Sequence, residues 1–166
     1  SQKANYIMRI MKHYYPETAD KLTISSALLD GDFDTLKKTD DLGTLKNPIV
    51  NLLENYEVNK KSVNKAQWAN AILPGAGYLY VGQKQSALTA FLLNGLFIYA
   101  TVHFYSKGNY PAAIIFGSFE TGWYFGGIYG AGEAAKMYNE RLYEKTAYSI
   151  LVRQKLFPVL MLKWGF

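Results

Sequence analysis

The chain has 166 residues, a formal net charge of +5 and no cysteine. Disulfides, thiolate metal ligands and cysteine nucleophiles are therefore excluded. A basic chain suits the phosphates of nucleic acid or of anionic lipid, and only the placement of its charges separates these partners. From Ala66 to Gly132 the only charged residues are Lys84, Lys107 and Glu120. The mean hydropathy of −0.09 thus averages a polar and an apolar part, which favours membrane lipids over nucleic acid as partner.

The first 65 residues predict a small soluble helical domain. Ile7, Ile10 and Tyr14 recur at helical spacing before Pro16, as in a short amphipathic helix. Its apolar face is expected to pack on the following helices, and binding to a membrane surface is the alternative.

Two further helices are expected in this domain. The first, over residues 19–29, should end at the turn formed by residues 30–32. The acids of this turn lack the spacing and the closing Glu of an EF-hand loop, so a solvated turn is expected rather than a calcium site. Pro48 suits the first position of the other helix, which should run to Tyr56.

The strongest element in the sequence is the uncharged run at residues 85–106, whose core reads ALTAFLLNGLFIYATVHFY. About 20 such residues in a helix span a hydrocarbon layer of ~30 Å. A fully buried helix of a soluble protein is the alternative, but the rest of the chain offers little material to surround it.

A second apolar helix is predicted over residues 112–130, after the short polar connection at residues 106–111. Helices joined by so short a loop run antiparallel, so the two should form a membrane-embedded hairpin within residues 66–132. Four small residues with spacings of four and five form its expected helix-packing face, because small residues let membrane helices approach closely: Gly117, Gly122, Gly126 and Gly130.

Glu120 is the one acid in this apolar part, and a carboxylate at membrane depth must be paired, protonated or turned to a polar cavity. The polar residues available on the other helix include Asn94 and His103. An internal polar clamp is favoured, and a proton- or ion-coupled transport component that uses Glu120 is the alternative.

The hairpin is preceded by an apolar run over residues 66–83 that contains Pro74, Gly75 and Gly77. These residues predict a broken or re-entrant helix instead of a straight membrane span. The glycines superficially match a dinucleotide-binding loop, but Tyr80 stands where the third glycine belongs and no strand precedes them. Nucleotide binding is rejected.

A motif of the form Pro-Gly-x-Gly-x-x-Tyr-x-Gly-Gln lies in this run, on Pro74, Gly75, Gly77, Tyr80, Gly82 and Gln83. Together with the two apolar helices that follow, it resembles small bacterial envelope hairpin proteins related to the two-transmembrane domain family, over residues 66–140. The resemblance implies a bacterial envelope protein with a helical membrane domain. It supplies no catalytic, cofactor-binding or metal-binding residues.

The last segment, residues 133–166, predicts an amphipathic helix followed by an apolar tail. The terminal aromatic residue is similar to the last-strand signal of outer-membrane barrels, so the tail is expected either to form a short strand on a partner or to pack on its own domain. The residues that would contact a partner are Phe157, Leu160, Leu162, Trp164 and Phe166.

Basic residues flank both ends of the hairpin, while its connecting loop carries Lys107 alone. The positive-inside tendency therefore places both ends in the cytoplasm and favours the inner membrane, with outer-membrane association as the alternative. Ser1 without a preceding Met indicates either a removed signal peptide or a fragment of a longer chain. A removed signal peptide would place Ser1 outside, in conflict with the charge pattern.

The sequence thus predicts an all-α protein in three parts, residues 1–65, 66–132 and 133–166. The expected function is a non-enzymatic membrane scaffold or accessory subunit of a bacterial envelope protein complex, whose partners are membrane lipids and other envelope proteins. No cofactor and no metal site is expected, because no nucleophile and base, metal-ligand set or phosphate-binding loop can be assembled.

Overall fold

A computed structural model describes residues 2–38 and 43–156 of the chain. Within these ranges the regular structure is helical and no strand occurs, which confirms the predicted all-α class. The possible C-terminal strand lies outside the described residues. The helices are α1 (Gln2–Tyr14), α2 (Pro16–Asp30), α3 (Phe33–Lys38), a 3₁₀ turn (Gly43–Leu45), α4 (Lys46–Asn59), α5 (Val63–Ile72), α6 (Ala76–Tyr80), α7 (Lys84–Ser106) and α8 (Tyr110–Arg153).

These helices form two compact units. The first comprises Ser1–Asn59 and Leu142–Phe166, and the second comprises Lys60–Arg141. The boundaries differ from the three predicted parts, because the end of α8 supplies Ala147, Ile150 and Leu151 to the core of the first unit. A polar composition after Gly132 did not indicate that this segment packs with the N-terminal helices.

The core of the first unit is built from large aliphatic side chains. Leu28, Leu36, Ile49 and Leu52 are fully buried, and each contributes roughly 1.5–3 kcal/mol through the apolar area that it removes from water. In α1, Met8 and Met11 are half-buried, whereas Ile7 and other apolar residues are exposed. The expected packing of α1 on the following helices therefore accounts for only part of its apolar surface.

The predicted turn at residues 30–32 ends α2 and begins α3. Gly31 has φ +66°, and its N–H donates to the carbonyl of Ala27. Asp32 then caps α3, since its carboxylate accepts hydrogen bonds from the N–H (3.0 Å) and the hydroxyl (2.6 Å) of Thr35. These bonds lower the pKa of the Asp32 carboxyl. This acid therefore has a local capping role.

In the second unit, α5 and α6 pack together before the long helices α7 and α8. The predicted helix over residues 112–130 and the amphipathic helix predicted at the start of residues 133–166 are one continuous helix, Tyr110–Arg153. The glycines between them do not end it, because Gly130 and Gly132 lie against the side chains of Tyr78 and Gln67. A glycine inside a helix is retained where a neighbouring group needs the space of its missing side chain.

Candidate functional site

The turn between α5 and α6 depends on Asn70, a residue that the sequence analysis did not select. Asn70 is 2% exposed, and its Oδ1 accepts a hydrogen bond of 2.8 Å from the N–H of Gly75. Gly75 has φ +94°, and a Cβ at this position would collide with the carbonyl oxygen of Ala87. The turn therefore lies directly against the first part of α7, and only glycine fits it.

Gly77 lets the short helix α6 approach two neighbouring helices. A Cβ at Gly77 would collide with the carbonyl oxygen of Ala66 and would lie 2.7 Å from the Cβ of Ala131. Ala66 and Ala131 are fully buried in the small core of this unit. Small side chains on three helices thus permit the close packing that the motif requires.

Tyr80 attaches the motif to the residues before α5. Its hydroxyl accepts a hydrogen bond of 3.1 Å from the N–H of Ser62, and Lys61 Nζ lies 5.0 Å from its ring centroid. Asn139 on α8 holds the backbone of Lys61 through two further hydrogen bonds. Tyr80 therefore positions the backbone at the start of α5.

The last two motif residues, Gly82 and Gln83, directly precede α7. Gly82 has φ +86°, and the N–H of Gln83 donates to the carbonyl of Tyr78 at 2.9 Å. The carbonyl of Gln83 in turn accepts from the N–H of Ala87 at 2.9 Å. Pro74 is half-exposed beside the turn. The contacts of the motif residues are those of a structural turn.

Helices α7 and α8 meet along a seam that is mostly aromatic. Phe104 stacks on Phe116 with ring centroids 5.3 Å apart, and Phe97 lies 6.2 Å from Phe119 and 6.4 Å from Trp123. Such ring pairs contribute roughly 0.5–1.5 kcal/mol each beyond the area that they bury. The predicted hairpin pairing of the two helices is therefore present.

Two polar side chains on these helices have a buried oxygen without a hydrogen-bond partner among the described residues, Asn94 Oδ1 and Glu120 Oε2. Asn94 is 3% exposed and donates only to the carbonyl of Ala90, at 2.6 Å. His103 is exposed and contacts the rings of Tyr99 and Phe104. These contacts give His103 aromatic neighbours, and no hydrogen bond among the described residues links it to Glu120.

The four glycines of the predicted packing face have different surroundings. A Cβ at Gly117 would lie 3.5 Å from Thr101 Cγ2, and one at Gly130 would collide with the hydroxyl of Tyr78. At Gly122 and Gly126 an added Cβ would meet no atom within 4 Å. Gly117 and Gly130 therefore contact neighbouring side chains, while Gly122 and Gly126 border open space.

That open space is a groove of about 550 Å³, which we call the lateral groove. Its α7 wall contains polar side chains near the start of the helix, and its α8 wall is largely glycine. The lining residues are Tyr78, Gln85, Ser86, Thr89, Ala90, Gly122, Trp123, Gly126 and Gly127. None of these residues has a formal charge, so the groove suits a ligand with hydrogen-bond acceptors and an apolar part.

Helix α7 is long and apolar enough to cross a membrane, and within the described residues it is the one helix that is. Only 17% of its most apolar stretch is buried. The side chains of Leu92, Leu96 and Tyr99, for instance, are more than half exposed. The first half of α8 does not reach the same combination of length and hydropathy, so the second membrane helix stays a prediction.

Sequence reasoning missed three polar side chains that organise the second unit. Asn70 and Asn139 bind backbone groups, and the hydroxyl of Tyr124 donates to the carbonyl of Ala71 at 2.7 Å. A single amide or phenol in an apolar helix forms no periodic pattern. Only the free-energy cost of burying its polar group in an apolar environment indicates that the residue needs a hydrogen-bond partner.

The tail residues Phe157 to Phe166 lie outside the described part of the chain. Within the described part, no group of three or more His, Asp and Glu side chains is placed to hold a metal ion. No protein-family model, curated protein or solved structure matches the chain significantly.

Proposed function

We propose that this protein is a non-enzymatic membrane subunit that supports the assembly of other proteins in a bacterial envelope. The observation that carries the proposal is the exposed apolar surface of α7. In a soluble protein the long apolar helix is mostly buried, because its side chains would otherwise face water. Here only 17% of the apolar stretch of α7 is buried. Lipid is the solvent that suits the exposed remainder of this stretch.

The packing of the second unit supports a structural role. Its motif residues hold a turn, and its aromatic seam holds two helices together. These contacts hold the backbone and pack the helices, and none of them places a nucleophile beside a base. The resemblance of residues 66–140 to bacterial envelope hairpin proteins supports the location in the envelope, with the inner membrane favoured by the lysines that flank the hairpin.

The partner is proposed to be another envelope protein that binds the apolar tail, residues 157–166. The test is purification of the full chain from bacterial membranes in a mild detergent, beside a variant that lacks residues 157–166. We expect an envelope protein to co-elute with the full chain in stoichiometric amount and to be absent from the purified variant. A full chain that elutes alone, and stays soluble when detergent is withdrawn, contradicts the proposal.

One observation favours a second function, a proton- or ion-coupled transport component. Glu120 Oε2 is buried without a hydrogen-bond partner, and an unpartnered carboxyl at membrane depth is typical of a group that exchanges protons or ions. The exposed position of His103 weighs against a relay between the two residues. Transport therefore ranks below the scaffold function.

A further inference from the structure

The lateral groove has walls of two chemical kinds. Tyr78, Gln85, Ser86 and Thr89 present polar groups near the start of α7, while Ala90 and Trp123 give the other end an apolar surface. The glycines of α8 leave this surface open, since a Cβ at Gly122 or Gly126 would meet no atom within 4 Å. The groove thus has a polar end and an apolar end.

The hydroxyls of the polar end have unused hydrogen-bonding capacity. Elsewhere in these helices, Thr101, Ser118 and Thr121 each donate to the backbone carbonyl four residues earlier, at 2.8 Å. Ser86 and Thr89 form no such side-chain bond within the described residues. Ser86 is half-buried and Thr89 is exposed, so both hydroxyls can donate to the acceptor oxygens of a ligand at this end of the groove.

The charge near this end also favours an anion. Lys84 is the first residue of α7 and directly precedes Gln85, and the first turn of α7 contains no acid. Lys84 is exposed, and it forms no ion pair with any residue that the structure describes. A cation beside uncharged donors suits a phosphate group.

We propose that the lateral groove binds one phospholipid. The phosphate and ester oxygens accept hydrogen bonds from Gln85, Ser86 and Thr89 beside Lys84, and the first methylenes of an acyl chain lie along Ala90 and Trp123. This inference rests on the proposed membrane location, because it takes the ligand from the surrounding bilayer. A second copy of this chain is the competing occupant, since exposed glycines on a membrane helix also suit another helix.

The lipid site is tested by counting phospholipids bound to the full chain after exchange into mild detergent. The Ser86→Ala, Thr89→Val double variant removes two donors, and we expect it to bind phospholipid at least about tenfold more weakly than the unmodified chain. The matched control is Ser118→Ala, Thr121→Val, which removes two hydroxyls that already bond to their own helix. This control should retain the lipid.

A second variant fills the groove without removing any donor. Gly126→Leu places a side chain where an added Cβ meets no atom, and Gly95→Leu does the same on α7 outside the groove. We expect Gly126→Leu to lose the bound phospholipid and Gly95→Leu to keep it. Equal retention by both leucine variants, or by both double variants, overturns the lipid site.

Quenching of Trp123 distinguishes the occupants. In a Trp68→Phe, Trp164→Phe background, Trp123 is the remaining tryptophan, and brominated phospholipid should quench it in the unmodified groove but much less in Gly126→Leu. Unquenched Trp123 in a chain that behaves as a dimer in detergent assigns the groove to a second copy and overturns the lipid site alone. Recovery of the chain in the aqueous fraction instead contradicts the membrane location, and the lipid site with it.

Discussion

Asn139 and Lys61 exchange two hydrogen bonds: the N–H of Lys61 donates to Asn139 Oδ1 at 2.7 Å, and Asn139 Nδ2 donates to the carbonyl of Lys61 at 2.9 Å. One side-chain amide on α8 thereby holds both backbone polar groups of a residue 78 positions earlier. This clamp lies beside the Tyr80 contact of the turn motif.

Loss of the clamp should destabilise the second unit. Asn139→Ala leaves two part-buried backbone groups without their partner, at a cost of about 2 kcal/mol. The measurements are the denaturant midpoint and the hydrogen exchange of the Lys61 amide, which should become faster. Asn64→Ala, at an exposed position on α5, is the matched control, and an equal effect in both variants contradicts the clamp.

The turn at Gly75 should tolerate no side chain. Gly75→Ala combines an unfavourable φ of +94° with a collision against the carbonyl of Ala87. Gly82→Ala has a similar φ, +86°, and meets no atom within 4 Å. We expect Gly82→Ala to cost about 1–2 kcal/mol from the backbone alone, and Gly75→Ala to cost a further 1–3 kcal/mol, roughly, from overpacking.

Unfolding midpoints of these two glycine variants measure the difference directly. Equal losses would mean that α7 can shift away from the turn without cost. Wild-type stability of Gly75→Ala would contradict the close contact between the turn and α7.

The first unit should lose stability in alkali through Tyr143. Its hydroxyl donates to the carbonyl of Leu28 at 2.8 Å, and burial, with a smaller contribution from the charge of Asp30, raises its pKa to about 12. The unfolded pKa is about 10, so the folded protein holds the proton more tightly. This contribution is complete below about pH 10 and is lost as the pH rises towards 12.

Unfolding measured from pH 9 to 12 tests this dependence. Tyr143→Phe should be less stable than the unmodified chain at pH 9 and should show a smaller decline above pH 10. Tyr148→Phe, at an exposed position on the same helix, should keep the full decline. A decline that Tyr143→Phe leaves unchanged would assign the alkaline loss to other groups.

Glu120→Gln separates the two proposed functions. It removes the titratable proton while keeping the size of the side chain, so a scaffold should still assemble with its partner. The measurement is pH-driven flux into proteoliposomes, with Glu133→Gln as the control, since Glu133 bonds to Lys136 at 2.6 Å. Flux that Glu120→Gln abolishes and Glu133→Gln preserves would favour transport over the scaffold function.

The helical elements with periodic apolar residues or strong end signals were predictable from the sequence. The run at residues 85–106 is α7, which begins at Lys84, and the residues 30–32 do form the turn that ends α2. These elements depend on local properties such as charge-free length and the left-handed preference of glycine. The irregular turn at residues 73–75 was likewise predictable from Pro74 and Gly75.

Other features depend on contacts that a single sequence does not display. The change in composition at residue 133 suggested a new helix. Composition, however, reflects the surroundings of a segment and not the end of a helix, and α8 continues through this position. Asn70 and Asn139 lie in helices where any polar residue could face water, and only their backbone partners give them a role. The lateral groove is also a property of packing, because it needs the space beside Gly122 and Gly126 to stay unfilled by neighbouring side chains.

Spin labels along α7 test most directly whether this helix lies in lipid. The chain has no native cysteine, so Leu92→Cys, Leu96→Cys and Tyr99→Cys each give one labelled site in bilayers, with Val58→Cys on α4 as the water-exposed control. We predict that the three α7 labels are accessible to oxygen and shielded from a water-soluble nickel reagent, unlike the label at Val58. Nickel accessibility at the three α7 positions equal to that at Val58 would contradict a lipid-embedded α7.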